Sequence, residues 1–107
     1  MRIIEREDLK QKIDRGDDFR LVMTLGGWAY RAAHIPGSLH FDTPESGFAA
    51  LDLDDEIVVY CSDPGCIASR AAYEQFVARG YRNVLRYAGG LSEWTAAGYP
   101  LEGESVS

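Results

Sequence analysis

The sequence has few of the features that mark secreted or membrane proteins. Among its 107 residues are only two cysteines, Cys61 and Cys66, which are too close together to join distant elements. No apolar run approaches the roughly 20 residues of a membrane helix, and residues 1–10 alternate charge where a signal peptide has an apolar core. These absences predict a cytoplasmic protein whose cysteines serve chemistry more than structure.

Basic charge is also scarce. Eleven Lys and Arg against 17 Asp and Glu give a net charge of −6, which repels nucleic acids and anionic lipids. We therefore expect no nucleic-acid and no membrane partner. The two histidines and two cysteines lack the spacing of zinc ligands, so we expect no metal, and Gly26-Gly27 is not a nucleotide-binding glycine motif.

What is present fits one globular domain. The chain is 46% hydrophobic and 26% charged, which is typical of a folded domain of this length. We predict a single domain over residues 1–101. Residues 102–107 offer almost nothing apolar to bury, so we expect this tail to fray.

The order of segments predicts an α/β fold. Apolar, β-rich runs at 21–23 and 57–60 lack polar alternation, as strands buried on both faces do, and 2–4 and 83–85 are further strand candidates. Helical patterns cover residues 7–15, 28–33, 48–51, 67–79 and 91–97. This succession predicts a three-layer α/β/α domain with a central, mainly parallel sheet, in which ligands bind beyond the carboxyl ends of the strands.

The chemistry is expected at Cys61. It ends a predicted buried strand and leads through a short loop into a helix, so its thiol should lie near a helix N-terminus. Free amide groups and the helix dipole at such a position favour a thiolate and attract anions. Taken alone, a cysteine is more often a small buried hydrophobe. Its position at the strand end favours a nucleophile instead.

Three blocks of sequence carry a family resemblance: AAHIPGS at 32–38, VVYC at 58–61 and GGLSEWTAAGYP at 89–100. In their order and spacing they resemble the rhodanese-like sulfurtransferase family. The resemblance is to the single-domain type and implies its three-layer α/β/α fold. It also implies that Cys61 takes a sulfane sulfur from a small anionic donor such as thiosulfate and carries it as a persulfide. The acceptor would be a thiol, cyanide or a protein thiol, with no cofactor.

The same resemblance implies a substrate-binding loop after the nucleophile. Its backbone amides would hold the persulfide and the anionic oxygens of the donor. The residues assigned to this role are Ser62, Asp63, Gly65, Cys66, Ile67, Ala68, Ser69 and Arg70.

The chain departs from the family pattern in two places. The usual Asp-Val-Arg after the second strand aligns with residues 23–25, Met-Thr-Leu, so Arg31 or Arg70 would have to supply the missing cation. We favour Arg70. The loop is one residue longer than the usual C-x-x-G spacing and resembles the GPxC-containing branch of the family.

The loop leaves other roles open. Cys66 is either a resolving thiol or a small packed residue, and Asp63 opposes anion binding unless its carboxylate caps the following amides. The alternative to a transferase is a non-catalytic module, or a module that senses redox state or reactive sulfur. An arsenate reductase or phosphatase is disfavoured because Ile67 stands where those enzymes have a phosphate-binding Arg.

Four other residues have more ordinary interpretations. His34 is expected to orient the following turn through a backbone hydrogen bond, and Trp94 and Tyr87 are expected in the core. Trp28 could belong to the core or to the mouth of the pocket.

Overall fold

A computed structural model describes residues 1–41, 43–63, 65 and 67–106. Over these residues the chain forms five helices and four strands. The helices are α1 (Arg6–Arg15), α2 (Gly27–Ala32), α3 (Pro44–Ala50), α4 (Ala68–Ala78) and α5 (Gly90–Ala96). The strands are β1 (Arg20–Met23), β2 (Leu39–His40), β3 (Glu56–Tyr60) and β4 (Asn83–Tyr87).

The four strands form one parallel sheet in the order β2-β1-β3-β4. Val22 of β1 lies opposite Val59 of β3, and Val59 lies opposite Arg86 of β4. The predicted α/β class with a central parallel sheet is confirmed.

Helices cover both faces of the sheet because successive side chains of a strand point to opposite faces. Val58 and Tyr60 of β3 pack with Leu9 of α1 and Trp94 of α5 in one cluster. The intervening strand residues form a second cluster with α3 and α4 on the other face, with members Val22, Ile57, Val59, Val84 and Phe76. Strands buried on both faces read as continuous apolar runs, which is the pattern in the sequence. Among the described helices, none has both the length and the apolar character to cross a bilayer.

Two short elements differ from the sequence-based expectation. The predicted strand at 2–4 is a single parallel bridge between Ile3 and Arg86, with hydrogen bonds on either side of it. Helix α3 begins at Pro44, before the expected 48–51, because Thr43 caps it by accepting the Ser46 amide at 3.2 Å. Proline is well suited to a first helical position, where its missing N–H has no partner to lose.

The C-terminal segment is docked, in contrast to the expected frayed tail at 102–107. Glu102 and His34 exchange two backbone hydrogen bonds at 2.8 and 2.9 Å. The amides of Glu104 and Ser105 donate to the carbonyls of Arg31 and Ala32 at the end of α2. The segment is therefore held by backbone hydrogen bonds to His34 and to the last carbonyls of α2, which need no apolar burial. Ser107 lies outside the described residues.

The hydroxyl of Tyr60 connects β3 to the segment before β2. It accepts the amide of Ile35 at 3.0 Å and lies 2.6 Å from the hydroxyl of Ser38. All three residues are buried. Burial raises the pKa of Tyr60 to about 12, so the phenol stays neutral at physiological pH.

We predict that Tyr60→Phe lowers the free energy of unfolding by ~1–3 kcal/mol, because the buried Ile35 amide loses its partner. Urea denaturation measures the loss. The matched control is Tyr73→Phe, whose hydroxyl accepts the exposed Arg2 amide at 2.9 Å and should matter less. Equal losses in the two variants would contradict a special role for the buried hydroxyl.

Candidate functional site

The strand order creates a crevice where β1 and β3 end. The chain leaves β1 toward β2 on one side and leaves β3 toward β4 on the other, so the two connections diverge. Such a switch point is where open parallel sheets bind ligands. Thr24 and Cys61 are the first residues after the two strands, and Thr24 donates both its amide and its hydroxyl to the Tyr60 carbonyl at 3.0 Å.

The start of α5 holds the backbone of Cys61 and of the next residue through hydrogen bonds. Leu91 N–H donates to the Cys61 carbonyl at 2.9 Å, and Ser92 N–H donates to the Ser62 carbonyl at 2.7 Å. Gly90 permits this approach, since a Cβ there would lie 2.8 Å from the Cys61 oxygen. The candidate nucleophile is thus fixed by two neighbouring elements, β3 and α5.

Cys61 is only 1% exposed. Its Sγ lies 4.0 Å from the hydroxyl of Ser62. Cys61 is disulfide-bonded in this state, so any chemistry that needs a thiolate begins from the reduced protein.

The carboxylate of Asp63 turns back onto the loop. Its Oδ1 accepts the Gly65 amide at 2.9 Å, and its Oδ2 accepts the Ser62 hydroxyl at 3.3 Å. This is the capping arrangement considered from the sequence. One of the loop amides expected to bind an anion therefore already binds a carboxylate.

A cation missed by the sequence analysis lies beneath the start of α4. Arg86 is half-buried on β4, and its Nε donates to the hydroxyl of Ser69 at 2.9 Å. Ser69 is 1% exposed in the first turn of α4. An Arg inside the otherwise apolar run VLRY was the available signal, because a charge in a buried strand needs a partner.

The other loop residues differ in exposure. Ile67 is 78% exposed, and Arg70, the cation favoured from the sequence, is also exposed. Ala68 is half-buried at the start of α4. Cys66, assigned to substrate binding or to resolving an oxidised Cys61, lies outside the described residues, as does Pro64.

The four residues outside the loop take clear positions. His34 donates from Nδ1 to the Tyr30 carbonyl at 2.7 Å, a backbone hydrogen bond of the kind expected. Trp94 and Tyr87 are buried in the core as predicted. Trp28 is 76% exposed beside Gly26, so its core alternative is wrong.

Residues 5–97 match a family model described as a rhodanese-like domain. The chain is 36% identical to a thiosulfate sulfurtransferase, GlpE, of Pseudomonas paraeruginosa, over 69% of this chain and 66% of that protein. It is 32% identical to the HTH-type transcriptional regulator Rv0324 of Mycobacterium tuberculosis, over 92% of this chain and 44% of the regulator. The chain therefore spans less than two thirds of each of these two relatives.

A solved structure supports the same fold. The BH2092 protein of Bacillus halodurans superposes with a TM-score of 0.90 at 24% identity, covering 97% of this chain and 78% of that one. At this identity the likeness extends to the fold alone.

We predict that Gly90→Ala destabilises the protein more than Gly98→Ala does, by at least ~1 kcal/mol. Both glycines have positive φ, 67° and 76°, so both variants carry backbone strain. Only a Cβ at Gly90 would also meet backbone atoms of residues 61–63, whereas one at Gly98 meets nothing within 4 Å. Urea denaturation compares the two, and equal destabilisation would show that α5 is not closely packed under the loop.

Proposed function

Because the chain belongs to the rhodanese-like family, we propose that it is a sulfurtransferase that carries sulfur as a Cys61 persulfide. The observation that carries the proposal is the place of Cys61, the first residue after β3 at the crevice between diverging strands. Sulfane-sulfur transfer needs a thiolate held at a fixed point beside anion-binding groups. The backbone hydrogen bonds from α5 hold Cys61 at such a point.

The proposed reaction has two displacement steps. The Cys61 thiolate of the reduced protein attacks the outer sulfur of thiosulfate, and a new S–S bond forms. The old S–S bond breaks, and sulfite leaves with its electron pair. An acceptor, either cyanide or the thiolate of a small molecule or protein, then attacks the outer sulfur of the persulfide. Cys61 leaves as the thiolate, ready for another cycle.

The loop supplies the electrostatic part of the proposal. The amides from Ser62 to Ser69 are assigned to stabilising the persulfide and the donor's oxygens. Arg70 is exposed on α4 and would attract the donor. Arg86 donates to the hydroxyl of Ser69 and so adds positive charge beneath the first turn of the same helix. We assign Arg86 to positioning the start of α4. Cys66 remains a candidate resolving thiol that would attack a persulfidated or oxidised Cys61.

The reaction as proposed uses no organic cofactor or metal, and a cytoplasmic location would supply both the reductant and the thiol acceptors. The partners are then a small anionic sulfur donor and a thiophilic acceptor. Nucleic acids and membranes are not proposed as partners, since the net charge of −6 repels both.

A second candidate function is a module that senses reactive sulfur or oxidants through Cys61. Two observations favour it: the similarity to a transcriptional regulator over 92% of this chain, and an acidic residue in the loop at Asp63. A sensor would form the persulfide once and pass the sulfur on slowly. A transferase would turn over.

We predict that Cys61→Ser reduces sulfur transfer from thiosulfate to cyanide to the uncatalysed rate, because Cys61 is the residue that directly follows β3 at the crevice. Cys66→Ser is the matched control and should retain most of the activity. Intact mass after thiosulfate treatment of reduced protein should show one added sulfur atom in the wild type and in Cys66→Ser only.

Three results would change this assignment. Equal loss of activity in both variants would favour a two-cysteine relay. A persulfide that forms but does not turn over with cyanide or thiols would favour the sensor. Absence of the added sulfur in the wild type would overturn the transferase.

We predict that Asp63→Asn lowers the KM for thiosulfate about threefold to tenfold at low ionic strength, because a negative charge beside the donor is removed. The asparagine oxygen can still accept the Gly65 amide, so the loop turn is kept. Asp54→Asn is the control, since it changes net charge equally at the opposite end of β3. An equal effect of both substitutions would show that only net charge matters.

A further inference from the structure

A cavity of about 420 Å³ lies beside the carboxyl end of β1, between α3 and α4. Its volume falls within the range of small-molecule sites. Cys61 does not line this cavity, and the proposed sulfur chemistry makes no use of it. The cavity is therefore a candidate for a second ligand site.

The inner wall of the cavity is apolar and buried. It is formed by Val22 and Met23 of β1 and by Phe76 of α4, each at most 5% exposed. Phe76 meets Phe48 of α3 edge to face, with ring centroids 5.4 Å apart. A molecule that enters would replace water against these side chains, and the free energy gained is proportional to the apolar area buried.

The phenylalanine rings favour an aromatic occupant. In addition to Phe48 and Phe76, the ring of Phe41 lines the cavity and lies against α3 at Gly47, where a Cβ would be 3.3 Å from Phe41 Cδ2. Aromatic rings attract one another in edge-to-face and offset-stacked arrangements, beyond the effect of buried area alone. Three such rings around one cavity therefore favour a flat aromatic molecule over an aliphatic chain.

Small residues keep the space between the two helices open. Ala68, Ala71 and Ala72 line the cavity from α4, and the buried Gly47 lines it from α3. Ala71 is exposed and Ala72 is half-buried, so the cavity extends from the solvent toward the sheet. An occupant therefore enters from the solvent side, between α3 and α4.

The lining also bears on the charge of the occupant. Asp, Glu, Lys and Arg are absent from the lining, as far as the described residues define it. A charged group that moved into the cavity would lose water and gain no ion pair, which is unfavourable. We therefore expect the lining to favour an uncharged molecule.

Gln75 offers a ligand its side-chain amide at the solvent side of the cavity. The residue is exposed, and its side chain forms no hydrogen bond with any residue that the structure describes. By contrast, the hydroxyl of Thr24 already donates to the Tyr60 carbonyl, and the imidazole of His40 is bonded to the Leu25 carbonyl. A side-chain amide both donates and accepts hydrogen bonds, so Gln75 can bind a hydroxyl or an N–H group.

We propose that this cavity binds an uncharged aromatic molecule that carries one hydroxyl or N–H group, such as a phenol. The ring lies against Phe48 and Phe76, and its polar group hydrogen-bonds the amide of Gln75. The site is separate from the proposed sulfur chemistry, so the proposal does not depend on whether the chain transfers sulfur.

The first test titrates phenol into isotopically labelled, disulfide-bonded protein and follows the backbone amides by NMR. We expect saturable shifts at Gly47 and Ala72, and none at Leu9, which packs on the opposite face of the sheet. Benzoate, which is similar in size but charged, should bind at least about tenfold more weakly than phenol. Absence of saturable shifts, or equal binding of phenol and benzoate, would overturn the proposal.

A pair of alanine variants tests where the ring binds. Ala72→Leu fills the cavity from α4 and should weaken phenol binding about tenfold. Ala78→Leu is the matched control, since it makes the same change at an exposed position of α4 that does not line this cavity. Urea denaturation confirms that each variant is folded. Equal affinities of the two variants would reject the cavity as the site of binding.

A pair of glutamine variants tests the polar contact. We expect the wild type to bind phenol about threefold more tightly than benzene, which lacks the hydroxyl. Gln75→Leu should abolish this preference, whereas Gln11→Leu on the exposed face of α1 should keep it. A preference that survives in Gln75→Leu would overturn the role of this amide.

A competition experiment separates this inference from the proposed function. Because Cys61 does not line the cavity, the affinity of reduced protein for phenol should be the same with and without excess thiosulfate. Displacement of phenol by thiosulfate would overturn the separate site and leave the transferase intact. Saturable phenol binding by a chain that transfers no sulfur would support this inference and reject only the proposed function.

Discussion

The parallel pairing of β1 with β3 determines where Cys61, the proposed nucleophile, lies. Both strands are buried on both faces. The connections that follow them start at the carboxyl ends of the strands and run toward opposite sides of the sheet, one to β2 and the other to β4. The crevice follows from this divergence. Thr24 then joins the strand ends through the Tyr60 carbonyl, and Leu91 holds the Cys61 carbonyl from α5. The position of Cys61 therefore depends on the sheet and on α5 more than on the loop that follows.

Charge is divided between the two sides of this loop. The Asp63 carboxylate is exposed and bound to the Gly65 amide, while the Arg86 guanidinium lies beneath α4 on the hydroxyl of the buried Ser69. An exposed charge is screened by water and salt, whereas a half-buried charge is screened less. Negative charge thus opposes the approach of anions, and positive charge under the helix favours a negative group once it is bound.

The sequence predicted the parts of the fold that have a long periodic signal. Central strands read as unbroken apolar runs, and α4 shows an apolar stripe, so both were found. β2 has two residues, Leu39–His40, which is too short for any period, and it was missed. The docking of the C-terminal segment uses the backbone of His34 and two carbonyls of α2, and a sequence does not show which distant amides will reach them.

The same contrast applies to the site. The place of Cys61 between a buried strand and a helix was predictable because strand, loop and helix are adjacent in the chain. Arg86 was missed because its contact with Ser69 joins residues 17 apart in the sequence through the pairing of β3 with β4. The exposure of Trp28 and the cavity next to it depend in the same way on how α2, α3 and α4 pack. Three-dimensional packing, more than local pattern, decides which cations and apolar surfaces surround a nucleophile.

A transferase and a sensor share the first half of the chemistry, so the sheet does not distinguish them. Both need a sulfur donor to reach a thiolate at the end of β3. They differ in how readily an acceptor reaches the outer sulfur of the persulfide, and this depends on the loop and on the helix ends around it. Cys61 is 1% exposed and disulfide-bonded in this state, so its thiolate forms only after reduction. We therefore expect a few loop residues such as Asp63 to decide between the two proposed functions, on a framework that would serve either role.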